Sequence, residues 1–279
     1  MSRRFHPLPA LLLALALPAA QAVDVAPPPD LATWICTGQC GASVSQGDIV
    51  LSPFASPAYG FVTTSGSEAL GVSPLSLGAN SRGEETNGSR LVSAPFHAEA
   101  GDRLEVQFNY ASTDGKGFDD YAWARIVSAA GGETVAWLFT ARSSNSSTGN
   151  IVPGDVLRRE DFDPRAVIVN YADYSFTSKT VDDPIDWAPL GASNGTCWRD
   201  NAQGCGFTGW LMSRHDFAAA GEFRLELGVV NWGDGAYDSG LAFDVRGLTA
   251  AVPEPGMPAT LLAGLALVAG LSLRRRPRS

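Results

Sequence analysis

Lysine is nearly missing from this chain. It occurs only as Lys116 and Lys179, so the 20 basic residues are almost all arginine, against 29 acids and a net charge of −9. Six of the arginines sit at the two ends (Arg3, Arg4, Arg274, Arg275, Arg276 and Arg278); without them and Glu254, residues 23–251 carry about −14. So acidic a body excludes nucleic acid and anionic lipid as partners, because both require a basic footprint. Histidine is equally scarce: outside the first residues only His97 and His215 occur, which leaves little for a zinc hydrolase or for imidazole acid–base chemistry. Helical periodicity over any long stretch is absent, as is an internal repeat. Disorder is excluded from the other side, since 45% of the 279 residues are hydrophobic.

What is present begins at the ends. Residues 1–22 read as a secretory signal: Arg3 and Arg4, an apolar run from Leu11 to Leu17, then Pro18 and the small-residue site Ala20-Gln21-Ala22. Positive charge holds such a segment in the cytoplasm, the short apolar run enters the translocon, and small residues fit signal peptidase. At the other end, Met257–Leu273 is a 17-residue run without a charge, followed by Arg274-Arg275-Arg276-Pro277-Arg278. As a helix it would be about 25 Å long, at the short limit for a bilayer. The arginine block would stay cytoplasmic, leaving the body on the far side.

Val252-Pro253-Glu254-Pro255 stands directly before that run. Together the motif, the apolar helix and the Arg cluster at 274–278 resemble the PEP-CTERM sorting signal, here spanning residues 252–279. The resemblance implies recognition by exosortase, a membrane protease-transpeptidase that cuts near the motif. It also implies a Gram-negative bacterium that makes exopolysaccharide or biofilm, and a precursor held transiently in the inner membrane. A tail removed in this way leaves no membrane anchor on the product.

The four cysteines are Cys36, Cys40, Cys197 and Cys205. Four allow three pairings. Gly-rich turns within each local pair favour Cys36–Cys40 and Cys197–Cys205. A zinc site is the alternative, but zinc ribbons use Cys-x2-Cys-type knuckles, and an oxidising compartment favours disulfides.

The body, residues 23–251, reads as one all-β domain, an antiparallel β-sandwich of jelly-roll type. Period-two alternation puts apolar side chains on one strand face. It recurs at Leu104, Val106, Phe108 and Tyr110; at Val135, Trp137 and Phe139; at Phe223, Leu225, Leu227 and Val229; and at Leu241, Phe243 and Val245. Tyr121–Val127 and Ala166–Asn170 are apolar enough for central strands. Asp114-Gly115, Gly131-Gly132, Gly221 and Gly233-Asp234-Gly235 supply turn signals. The polar, Pro-interrupted stretch at about 143–200 reads as a long insertion with few core-forming runs. Two blocks, Phe118–Arg125 (FDDYAWAR) and Asn231–Asp244 (NWGDGAYDSGLAFD), with Trp34–Gly38 and Cys205–Trp210, resemble a family of PEP-CTERM proteins. That resemblance implies an exported β-rich surface protein and assigns no activity.

Three groups of residues invite chemistry. Asp234, Asp238 and Asp244 lie among glycines, and oxygen ligands on a tight loop suit calcium; Asp and Gly are equally the residues that turns select. Asp114, Asp119 and Asp120 form a second acidic turn, and Asp182, Asp183 and Asp186 a third. Trp187, Trp198 and Trp232 lie in Gly/Pro/Asp loops, where an exposed ring would stack on a sugar and a buried one would simply pack. Gly191-Ala192-Ser193-Asn194-Gly195 matches the Gly-x-Ser-x-Gly elbow of serine hydrolases, with Asp200 and His215 following. The elbow, however, needs a strand before it and a helix after it. No pair of carboxylates has a spacing that singles it out for glycoside hydrolysis.

These observations set the expectation: an exported, exosortase-sorted protein of the cell surface or extracellular matrix. Its sandwich would have an adhesive, glycan-binding or structural role in exopolysaccharide, possible calcium support and no catalytic residues. The alternatives are a polysaccharide-acting hydrolase and a matrix protein without a ligand.

Overall fold

A computed structural model describes residues 31–75, 83–115, 118–143, 177–198 and 205–247. The signal segment, the strand expected at 166–170, Asp200 and the whole tail from residue 248 lie outside the described residues.

The described chain forms thirteen strands in two antiparallel sheets. The first sheet contains β1 (Ile35–Thr37), β4 (Glu85–Val92), β12 (Gly221–Trp232), β7 (Tyr121–Ser128) and β8 (Thr134–Arg142) in that spatial order, with β5 (Phe96–Ala98) also on β12. The second runs β2 (Gln39–Ser43), β3 (Tyr59–Thr63), β13 (Ser239–Arg246), β6 (Arg103–Ser112), β10 (Gly206–Phe207) and β9 (Thr177–Ser178), with β11 (Leu211–Asp216) also on β6. Among the described residues helix is confined to 3-10 turns such as Ala188–Ser193. Among the described residues no helix is long and apolar enough to cross a membrane.

The alternation explains which faces meet. Leu104, Val106, Phe108 and Tyr110 of β6 and Leu241, Phe243 and Val245 of β13 face Leu225, Leu227 and Val229 of β12 across one shared core. Strand β8 departs from the expected phase. Ala124 pairs with Phe139, while the next residue, Arg125, pairs with Trp137, so β8 carries an extra residue there. A bulge of this kind reverses the side-chain phase. Leu138 and Phe139 therefore enter the shared core, while Trp137 packs on the outer face with Tyr121, Trp123, Val230 and Trp232.

The insertion also differs from expectation. Ile185, Trp187 and Leu190, all fully buried, build a further core on the outer face of the second sheet with Ile49, Tyr59, Ala111, Trp210 and Ala242. The part of the insertion at 177–198 is thus a covering layer of the sandwich. Its polar composition hid this because three apolar side chains sit in separate turns with no strand period to betray them. Disulfides join Cys36 to Cys40 and Cys197 to Cys205, the two local pairings expected.

Candidate functional site

The two sequence blocks converge at one end of the sandwich. Strand register places Val230 opposite Tyr121, so Asn231 stands opposite Asp120; Asn231 also pairs with Asn87. On the far side Tyr121 pairs with Arg142, which sets Ser143 beside Asp120, and the Ser143 amide donates to the Asp120 carbonyl at 2.8 Å. Asn87, Asn231, Asp120 and Ser143 therefore form a row across β4, β12, β7 and β8. This row continues the inward phase of Leu91, Val229, Ala122 and Ala141. The other sheet answers with Thr64, Ser239 and Ser112, beyond Val62, Leu241 and Tyr110.

Hydrogen bonds stitch the rows together. The Ser239 hydroxyl donates to Asp120 Oδ2 at 2.8 Å and sits 2.9 Å from Ser112 Oγ. The Trp232 amide donates to Asp120 Oδ1 at 2.9 Å, and the Tyr110 hydroxyl to the Asp120 carbonyl at 3.1 Å. Asn87 Nδ2 donates to the carbonyls of Thr64 and Ser67. Asp114 lies two residues beyond Ser112, in the bend after β6; the Ser112 hydroxyl accepts its amide N–H, and its own Oδ1 accepts from the Gly115 amide.

Burial governs the electrostatics. Asp120 is 1% exposed; desolvation first, then the charge of Asp114, holds its carboxyl well above the usual range. Desolvation likewise pushes Asp114 up to about 8, with Asp234 adding repulsion. Burial also raises Tyr110, and Asp120 adds to the shift.

The three aspartates that are candidates for calcium lie apart, each with its own partner. Asp244 lies on β13 five residues beyond Ser239, about 17 Å along the strand. There its Oδ2 accepts from the Ser52 hydroxyl. Asp238 accepts from Thr64 Oγ1 at 2.9 Å and Ser193 Oγ at 2.8 Å, whereas exposed Asp234 accepts from the Ala236 amide. Among the described residues no three His, Cys, Asp or Glu side chains converge as metal ligands. The third acidic turn is tied to Lys179, whose Nζ lies 3.1 Å from Asp183 Oδ1 and 3.0 Å from Asp48 Oδ1.

Of the three loop tryptophans weighed as ligand contacts, two are buried, the packing alternative. Trp187 is 0% exposed and donates from Nε1 to the Tyr59 hydroxyl at 2.9 Å. Trp232 is 1% exposed within the outer cluster of the first sheet. Trp198 is half-buried, edge-on to half-buried Phe118 at 4.8 Å between centroids. Its ring lies over the Asp114-Gly115 turn so closely that a Cβ at Gly115 would come within 2.2 Å of it.

The Gly-x-Ser-x-Gly match is local turn structure. Ser193 ends a 3-10 turn and bonds Asp238 beside Ser239, which pairs with Ser112. His215 pairs with Leu104, eight residues down β6 and about 27 Å away. Ser193 and His215 therefore share no site. What sequence reasoning missed is the facing pair of polar rows; the inward phase of β12, carried two residues past Val229 to Asn231, was the available signal.

No protein-family model matches the chain, and no curated protein matches it.

Proposed function

We propose that this chain is an exported cell-surface or extracellular-matrix protein whose jelly-roll-like sandwich binds, or gives structure to, extracellular polysaccharide. Signal peptidase and the translocon handle its first 22 residues, and exosortase cuts near Val252-Pro253-Glu254-Pro255. The apolar run and Arg274, Arg275 and Arg276 hold the precursor in the inner membrane until then. The two disulfides fit the oxidising compartment this route reaches.

One observation carries the binding reading: Trp198 and Phe118 present a partly exposed aromatic corner beside a polar end of the sandwich. Apolar sugar faces stack on such rings while hydroxyls meet neighbouring polar groups. The reading makes Trp198 the contact and leaves Trp187 and Trp232 to packing.

Depletion of the protein by insoluble exopolysaccharide from the producing bacterium tests this. Trp198→Ala should abolish depletion while the melting curve stays cooperative. Equal depletion of both proteins removes Trp198 from the account, and none with either protein favours a matrix component without a ligand. Glycosidic cleavage of that polysaccharide, lost on changing one carboxylate, would favour the hydrolase.

A further inference from the structure

The polar end of the sandwich holds more oxygen donors than its own hydrogen bonds use. Asn231 is 0% exposed, yet among the described residues neither its Oδ1 nor its Nδ2 has a hydrogen-bond partner. Ser143 is also fully buried, and its hydroxyl likewise has none among them. An unsatisfied buried polar group costs about 1–3 kcal/mol, so two flanking one residue call for an explanation. The residue they flank is Asp120, and the phase of Leu227 and Val229 on one side and of Phe139 and Ala141 on the other aims both side chains into the space between the sheets.

Asp114 stands two residues past the end of β6, and the Ser112 hydroxyl that accepts its amide N–H lies 2.9 Å from the Ser239 hydroxyl that donates to Asp120. Among the described residues neither Asp114 nor Asp120 has a basic partner; the nearby guanidinium of Arg142 lies over the Tyr121 ring. Two carboxyl groups, a carboxamide and a hydroxyl thus converge, all hard oxygen donors. Cross-strand neighbours on one face lie about 5 Å apart at Cβ, a span that lets an Asp and an Asn oxygen reach one ion at about 2.4 Å.

We propose that this space is a calcium site, with Asp114, Asp120, Asn231 and Ser143 as protein ligands and water completing the shell. It differs from the glycine-rich triad suggested by sequence: Asp234 lies outside the ligand set, and Asp238 and Asp244 are held by their own hydroxyl partners. Calcium is favoured over magnesium because it accepts six to eight oxygens in irregular geometry, whereas magnesium demands a regular octahedron. An internal water would satisfy Asn231 and Ser143 but would leave Asp114 and Asp120 as two buried carboxyl groups side by side, which a divalent cation would allow to ionise. The site would tie β6, β7, β8 and β12 at the end of the sandwich that also bears Trp198, and it stands independently of the polysaccharide reading.

The test uses the exported protein, dialysed against chelator and then titrated with calcium, magnesium or terbium. Trp232, whose backbone bonds Asp120, is positioned to sensitise terbium luminescence. The expected result is one terbium bound per chain, displaced by calcium in preference to magnesium, and a melting temperature that rises with calcium. Asp120→Asn should weaken calcium at least tenfold. Ser143→Ala, which keeps both carboxyl groups and so preserves the fold if Asp120→Asn does not, should weaken it several-fold. Asp182→Asn, in the remote acidic turn, should bind as the parent does. Identical melting in chelator and calcium, with no sensitised terbium, would overturn the proposal and leave an internal water at Asn231. Terbium binding that survives both Asp120→Asn and Ser143→Ala would overturn it equally.

Discussion

Gly240 shows how closely single residues are fixed by their neighbours. A Cβ there would stand 2.5 Å from Cζ3 of the fully buried Trp187, which cannot move without emptying the core it fills. Gly240→Ala should therefore destabilise the protein by about 1–3 kcal/mol through overpacking. Trp187→Ala should cost about 3–5 kcal/mol, since it leaves a cavity and strips the Tyr59 hydroxyl of its donor. Chemical denaturation of the two variants measures both. The histidines supply a second test at this scale. Exposed His97 lies between Glu99 and Glu222, whose hydrogen bonds raise its pKa, whereas burial beside Phe217 lowers that of His215. The His97 contribution to stability is thus present below the ordinary imidazole value of 6.5 and fades as pH rises through its raised pKa. His215 has the opposite sign: its contribution holds above 6.5 and is lost as pH falls toward its depressed pKa. A ring-proton titration by NMR should find the two imidazoles on opposite sides of 6.5; coincident midpoints would contradict these contacts.

Among the elements, strands β6, β12 and β13 were legible because long, unbroken alternation states both the conformation and the buried face. Strand β8 was legible as a strand but not in phase: the extra residue opposite Ala124 and Arg125 is a property of the pairing, which no single strand's sequence reveals. The layer at 177–198 reads as an insertion in the sequence because Ile185, Trp187 and Leu190 follow no period; their burial depends on a groove built by β3, β6 and β13 with Trp210. The Asn231–Asp244 block was visible as a motif, but its parts do different work. Asn231 and Ser239 face inward, Trp232 packs outward, Gly240 yields to Trp187, and Asp238 ties Thr64 to Ser193. Turn composition alone suggested a metal loop because it cannot tell a ligand from a carboxylate already bonded to a hydroxyl. The disulfides belong to this scale as well. The Cys36–Cys40 link closes so short a loop that Cys36→Ser with Cys40→Ser should cost only about 2 kcal/mol and leave a folded sandwich.

For the molecule as a whole, two antiparallel sheets share one core and carry further apolar layers on their outer faces, which accounts for so many large aromatic side chains in a single sandwich. Export is the premise of the functional proposal, and the two paired disulfides fit the oxidising compartment it would reach. Replacing Pro253 and Glu254 with Ala should leave an unprocessed form in the inner membrane, detected by fractionation and immunoblot; unchanged processing would mean that another segment directs sorting. The most direct test of the central claim is the intact mass of the protein recovered from its native bacterium, with a count of free thiols. The account predicts a chain that begins at Val23, ends near Pro255 and contains no free thiol. Full-length 29.3 kDa material, soluble in the cytosol with all four cysteines reduced, would contradict it.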